Sequence, residues 1–381
     1  MNTLEKLKVL GGGTKWDICT PAQTTRKPTD GCRIGAPYEA GVCRSFTPDG
    51  RCVSLLKVLN TNACVHDCKY CIHSTSSKKK TIALFEPKEL ADLTMQMYLR
   101  NYIEGVFISS GVLGNAEKSN QKIIDTMQIL RNKYHFQGYV HLKIMPGSEK
   151  EQIKQLIEFS DRISLNLESP SKTAFNELCS TKDYNNDIMR RLRWIDNLKA
   201  KGEISSGFTT QMVVGAAGET DKQYLETMWN LYKEYGLRRA YFSAFDACKN
   251  TPLENGKSIP LRRENFLYRI DWMLRFYKFK FHELKTMIND QGMLPLNLDP
   301  KLNFALQNVD KFPVDVNNAS FEELIRVPGI GLEGAKKIVS FTGQKKIHSI
   351  NELKNFGVRF KEAAPFIQVD GSIQSSLRSF G

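Results

Sequence analysis

The sequence predicts an α/β protein: a partial (β/α)6 TIM-like barrel, followed by a small all-α unit at the C-terminus. Three observations predict it. Between residues 53 and 246, short apolar runs alternate with amphipathic stretches, the pattern of successive βα units and a mostly parallel sheet. Three cysteines follow directly on the first of those runs. After Asp246 the alternation stops, and a tight Val327-Pro328-Gly329-Ile330-Gly331 turn separates two short helical patterns.

The apolar runs are residues 53–59, 105–108, 139–144, 162–168, 208–214 and 240–245. The helical patterns between them cover 87–100, 117–133, 149–159, 186–201 and 220–235. Six strands with helical crossovers form a partial barrel, and functional groups in such barrels stand at the C-terminal ends of the strands. The polar residues fall there. Cys64, Cys68 and Cys71 follow strand one, Ser109-Ser110-Gly111 follows strand two, and Asn166 and Glu168 close strand four.

Bulk properties bound the class. The 381 residues are 41% hydrophobic and 25% charged, an ordinary globular composition. No apolar stretch approaches the ~20 residues that span a bilayer, and the N-terminus carries no secretory pattern, so the expectation is a cytoplasmic protein with no membrane partner. A formal net charge of +13 favours an anionic partner, nucleic acid first. Nine cysteines in such a chain point to metal rather than to a disulfide framework.

Cys64, Cys68 and Cys71 have the spacing C-x3-C-x2-C. Thiolates suit zinc, copper or iron–sulfur clusters. Structural zinc wants four closed ligands, and this compact set stops at three. A cubane on three cysteines leaves one iron open for a ligand. A zinc site completed by His66 or His73, and simple buried cysteines, are the other readings of the same residues.

With Tyr70 at the aromatic position, C-x3-C-x-aromatic-C resembles the signature of radical S-adenosylmethionine (SAM) enzymes. The resemblance implies a 4Fe-4S cluster on Cys64, Cys68 and Cys71, SAM on the open iron, and an electron donor such as flavodoxin or ferredoxin. It also implies a 5′-deoxyadenosyl radical that abstracts a hydrogen atom, with the cofactor supplying the chemistry and the protein positioning it. Ser109, Ser110 and Gly111 stand where that superfamily commonly carries a Gly-Gly-Glu turn contacting the methionine amino group; the acidic residue is absent here. Asn166 and Glu168 lie where its members bind ribose or the methionine carboxylate. Gly215, Gly218 and Glu219 resemble its Gly-x-x-Gly-Glu-Thr turn after strand five. The segments 49–64 and 101–112 further resemble a family of radical SAM proteins associated with DNA modification or repair.

Other cysteines carry subsidiary expectations. Cys19, Cys32, Cys43 and Cys52 are irregularly spaced; they are ordinary cysteines of a cap or, alternatively, a second metal site. Cys179 reads as structural. Cys248 follows strand six at the catalytic end, where a thiol donates a hydrogen atom to a product radical or is simply a loop cysteine.

Residues 261–287 read as helix rich in aromatic and basic residues, mostly packing, with some phosphate contact on its outer face. The Val-Pro-Gly-Ile-Gly turn with its following helix resembles a helix-hairpin-helix module. Such a module grips a phosphate through backbone N–H groups and a helix N-terminus, and here Gly329, Ile330, Gly331, Lys336 and Lys337 are the DNA-contacting candidates. A degenerate second hairpin is expected over 349–353 and 360–366. The expected organisation is an N-terminal cap over 1–52, the barrel and trailing helices over 53–290, a linker over 291–312 and the hairpin module over 313–381. Function then reads as radical chemistry on nucleic acid, DNA before RNA. A transfer RNA modifying enzyme and a non-catalytic iron–sulfur redox sensor on DNA are the alternatives.

Overall fold

A computed structural model describes residues 1–16, 41–46, 51–78, 81–199 and 204–371. Cys19 and Cys32 lie outside these described residues. The chain forms two compact units, one of residues 1–219 with 230–261, the other of 220–229 with 262–381.

The first unit opens with α1 (Thr3–Gly12), started by a capping box in which Asn2 and Glu5 satisfy each other's backbone N–H groups. The sheet has seven strands in sequence order: β1 (Val42–Phe46), β2 (Cys52–Leu59), β3 (Gly105–Ser109), β4 (Tyr139–Lys143), β5 (Arg162–Ser164), β6 (Phe208–Val214) and β7 (Arg239–Ala244). From β2 to β7 each neighbour is parallel, as the six apolar runs require. The crossovers carry α2 (Pro87–Leu99), α3 (Ala116–Gln128), α4 (Lys150–Phe159), α5 (Lys172–Leu178), α6 (Arg190–Lys199) and α7 (Asp221–Glu234). Leu55, Val58, Val106, Ile108, Val140, Leu142 and Ile163 are all 0% exposed, which is why these strands read as continuous apolar runs rather than alternating ones.

Two differences from the sequence expectation matter. Strand β1 pairs antiparallel with β2 and makes a seventh, edge strand. The fourth run, expected to be strand through Glu168, stops being regular at Ser164. Beyond it Leu165 N still donates to Thr209 O at 3.2 Å and Leu167 N to Gln211 O at 3.1 Å, while the Thr210 hydroxyl also accepts from Leu167 N at 3.0 Å and donates to Leu165 O at 2.8 Å. Glu168, at φ +66°, bridges Met212.

The second unit contains α8 (Leu261–Arg275), α9 (Phe281–Lys285), α10 (Pro300–Gln307), β8 (Val314–Asp315), α11 (Phe321–Leu324), α12 (Leu332–Thr342), α13 (Phe360–Ala363) and β9 (Ile367–Gln368). Helix α10, N-capped by Asp299 with Pro300 at its start, lies in the stretch expected to be a linker. The C-terminal module is almost all helical; β8 and β9 add a two-residue parallel ladder. Phe279 and Phe304 meet edge to face at 4.9 Å in the core of this unit. Among the described residues no helix is long and apolar enough to cross a membrane.

Glu283 ties α9 to the hairpin region. Its carboxylate accepts from Arg326 at 2.8 and 2.7 Å, a two-point contact. Burial opposes the charge, but the Arg326 bonds and the Lys280 N–H hold the carboxyl down at about 2. A depressed carboxyl contributes stability above its unfolded value near 4.5 and loses it as pH falls towards 2. Glu283→Gln should therefore destabilise the protein at neutral pH by about 2 kcal/mol, allowing for solvent screening. Chemical denaturation against pH checks this: the acid limb should flatten in the variant, and parallel curves would remove the assignment.

Candidate functional site

The C-terminal ends of β2 to β7 surround one cavity, built wholly from the first unit. It is lined by Cys64, Cys68, Tyr70 and Cys71 from the loop after β2, and by Ser109, Ser110 and Gly111 from the end of β3. Asn166 and Glu168 from beyond β5 and Cys248 from beyond β7 complete the set. All ten were candidates from the sequence, and the fold brings them together.

The cysteine loop is held by backbone. Gly111 N donates to Thr61 O at 2.7 Å and Val65 N to Val112 O at 2.9 Å. A Cβ on Gly111 would stand 2.2 Å from the Ala63 carbonyl oxygen, so no other residue permits this approach. On its other side the loop is pinned by Thr61 Oγ1 to Ala83 O at 2.8 Å and by Asn62, which donates to Thr81 O at 2.7 Å and accepts from Ala83 N at 2.9 Å. Ser109 and Ser110 are committed in part: Ser109 O accepts from Asn60 N at 2.7 Å, and the Ser110 hydroxyl donates to Gly111 O at 2.7 Å.

Asp67, between the cysteines, clamps the loop 179–181. It accepts from Ser180 N at 3.0 Å, Thr181 N at 3.2 Å, Thr181 Oγ1 at 2.9 Å and Cys179 Sγ at 3.1 Å, as well as from the Ser180 hydroxyl. Against burial, these bonds hold its carboxyl well below the usual carboxylate range. The clamp brings Cys179 Sγ to 3.5 Å from Cys68 Sγ. Burial pushes the Cys71 thiol up to about 11. The hydrogen bond to Cys68, then burial, raises Cys179.

A buried charged set stands beside the thiols. Lys182 Nζ lies 3.3 Å from Glu168 Oε1, both nearly shielded from solvent, and Asn166 Nδ2 donates to Glu168 Oε2 at 3.3 Å. Burial works against the Glu168 charge, but Lys182, Lys143 and a bond from Tyr70 hold the carboxyl below its ordinary value. Tyr70 is raised well above its ordinary value by burial and by the Glu168 charge. Burial and Lys182 push His66 down to about 4, so it is neutral, and its Nε2 is buried with no hydrogen-bond partner.

Not every candidate joins the cavity. Gly215 and Gly218, both at positive φ, and Glu219 form the turn after β6, and none of them lines the cavity. The Glu219 carboxylate accepts from Ser169 Oγ at 3.2 Å and Ala217 N at 3.1 Å. Cys43 packs against Val53, Leu55 and Phe107, and Cys52 lies opposite Phe46, three residues along the ladder from Cys43. The described cysteines form no disulfide, and among the described residues no three His, Cys, Asp or Glu side chains converge on a single ion. Sequence reasoning missed Lys182, Lys143, Asp67 and the contact of Cys179. Asp67 could have been flagged by its place inside the cysteine motif.

In the second unit the hairpin turn divides its work. Gly329, at φ +79°, is buried; a Cβ there would meet Arg359 O at 2.6 Å, and Gly329 O accepts from Arg359 N at 2.9 Å. Ile330 is 1% exposed. Gly329 therefore packs the first hairpin on the second, which comprises a 3-10 turn over Ile350–Phe356, Gly357 at φ +77° and α13. Gly331 is the N-cap of α12 and offers no side-chain cap, so the first N–H groups of that helix have no capping side chain. Lys336 and Lys337 are exposed on α12, and Lys336 pairs with Glu333 at 2.8 Å.

Comparison with known proteins agrees with both halves. The family model of the Radical SAM superfamily matches residues 58–228, and that of the helix-hairpin-helix motif matches 309–364. The chain thus carries a radical SAM domain, the enzyme domain of a superfamily that uses a 4Fe-4S cluster and SAM. No curated protein matches the sequence. Among solved structures, methylornithine synthase is similar at 12% identity over 58% of this chain and 61% of that one, with a TM-score of 0.48. HydG, a maturase of the FeFe-hydrogenase, is similar at 14% over 80% and 81%, with a TM-score of 0.47. HydG from Carboxydothermus hydrogenoformans is similar at 12% over 56% and 50%, with a TM-score of 0.41. The chain spans less than two thirds of the length of the first and last of these.

The residues present fit the superfamily's group: three thiols from one loop, an orphaned His66 nitrogen beside them, and a buried cation–carboxylate pair in the same wall. Because the loop depends on the Gly111 approach, Gly111→Ala should lose most of the iron and sulfide bound after anaerobic reconstitution while keeping its helical circular dichroism. Wild-type iron content in that variant would contradict the dependence.

Proposed function

We propose that this protein is a radical SAM enzyme acting on nucleic acid, with DNA the favoured polymer and modification or repair of a nucleotide the outcome. The observation that carries the reading is one chain holding both a thiol-lined barrel cavity and a helix-hairpin-helix unit with an uncapped helix and exposed lysines.

In this reading Cys64, Cys68 and Cys71 hold the cluster. Bound together, the cluster and SAM supply a 5′-deoxyadenosyl radical that abstracts a hydrogen atom. The chain's own residues bind and orient. Asn166 and Glu168 offer polar atoms to the cosubstrate, Tyr70 orients Glu168, and Lys182 provides a buried positive charge for an anionic group. The apolar floor of Leu59, Leu165 and Val213 keeps water from the reacting atoms. Cys248, at the rim with its Sγ 3.4 Å from Asp246 O, is the candidate hydrogen donor to a product radical. The hairpin grips the polymer backbone without reading bases, and a base in a duplex is flipped or unpaired to reach the cavity.

Two measurements test the two halves. Cys68→Ala should abolish the cluster's visible absorbance, and a normal spectrum would sink the ligand assignment. Fluorescence anisotropy with labelled duplex DNA should give an affinity that falls steeply as salt rises. Replacing Lys336 and Lys337 together by alanine should weaken binding and lower the salt slope by about two. A flat salt profile, or RNA bound in clear preference to DNA, would overturn the DNA reading.

A further inference from the structure

Among the described residues of the second unit, Phe266, Phe279, Phe304 and Phe366 are buried and most other aromatic residues are half-buried. Two at the end of α8 are exposed: Trp272 at 45% and Phe276 at 41%. They lie one helical turn apart, and their rings meet at 4.1 Å between centroids with a 33° tilt. The Arg275 guanidinium lies over the Phe276 ring at 4.7 Å and is fixed by an ion pair with Asp271, whose side chain is only 1% exposed. Lys278 and Lys280, just beyond, are exposed. The result is an open indole, backed by a second ring and flanked by cations.

Contacts through Tyr277 join this end of α8 to the hairpin turn. Tyr277 N donates to Trp272 O at 3.4 Å, so the Tyr277 ring starts beside the indole's own turn. The Tyr277 hydroxyl stands 3.9 Å from where a Cβ on Gly331 would be, beside the uncapped start of α12. The Lys301 ammonium lies over the Tyr277 ring at 4.6 Å and donates to the Ile330 carbonyl in the middle of the turn. The exposed rings and the hairpin's open N–H groups therefore belong to one surface.

We propose that Trp272, supported by Phe276, is a stacking platform for an unpaired nucleobase next to a phosphate held at Gly331, so that the protein selects single-stranded or locally unpaired DNA over intact duplex. This rests on the nucleic-acid reading above. An exposed aromatic face is stabilised by an occupant with a π face of its own. Lys278 and Lys280, exposed just beyond, favour an occupant that carries negative charge. A nucleotide meets both demands, whereas an apolar protein helix meets only the first. Every base has a π face to stack, so the platform discriminates pairing state far more than sequence.

The test uses the full-length protein with Trp272→Ala and Trp272→Phe, an oligothymidylate single strand and a blunt duplex, read by anisotropy at one salt concentration. Trp272→Ala should weaken single-strand binding by about ten-fold and duplex binding by no more than about two-fold, while Trp272→Phe, which keeps a ring, stays within about three-fold of wild type on both. Oligothymidylate should quench tryptophan emission in the wild type, and less so in Trp272→Ala. Equal loss on both polymers would mean that the residue only shapes the hairpin, and wild-type affinity in Trp272→Ala would mean that no base sits there; either overturns the platform. In both cases duplex binding that still depends on Lys336 and Lys337 leaves the hairpin reading standing. Failure of the wild type to bind either DNA removes that reading and the platform with it.

Discussion

The close approach of two backbones, at Ala63 and Gly111, sets the geometry on which the cavity depends. The cysteine loop has no regular structure of its own. It gains a fixed path because Gly111, lacking a side chain, lets the turn after β3 lie against it and exchange hydrogen bonds with Thr61 and Val65. The parallel register of β2 and β3 places these turns side by side. Asp67 then fastens the far end of the loop to residues 179–181. These protein contacts bring the thiols to one cavity.

A second constraint follows from burial. Glu168 and Lys182 are shielded from solvent on the cavity wall, where an unpaired charge is costly. They satisfy each other, and Asn166 takes up further carboxylate bonding capacity. Glu168 reaches this position beyond the regular end of β5, where the chain turns through a positive φ. The irregular end of β5 is thus the feature that aims a polar residue into the site, as irregular strand ends commonly do.

How much of this was legible in the sequence differs residue by residue. The six parallel strands were readable because both faces are buried, which turns each strand into an apolar run. The cysteine spacing was readable because its chemistry is local. Strand β1 was not: it is a short edge strand beside a Gly/Pro/Thr-rich stretch, with no periodic signal. Lys182 was not, because its importance comes from Glu168, fourteen residues earlier in the chain, which the fold sets 3.3 Å from it in the cavity wall. The hairpin's Gly-Ile-Gly was recognised as a motif, yet its division of labour needed the second hairpin in place. Gly329 accommodates Arg359, while Gly331 starts the open helix. The aromatic stretch of α8 was read as mainly packing, which holds for Phe266 but not for Trp272 and Phe276.

We propose that the thiol-lined cavity performs reductive cleavage of SAM in the service of a reaction on a nucleic acid. The most direct measurement is anaerobic: reconstitute the full chain with iron and sulfide, reduce it, add SAM, and quantify 5′-deoxyadenosine with and without single-stranded or duplex DNA. The account predicts that 5′-deoxyadenosine forms and that DNA stimulates its formation. An intact, reducible cluster that yields none, with or without DNA, would contradict it.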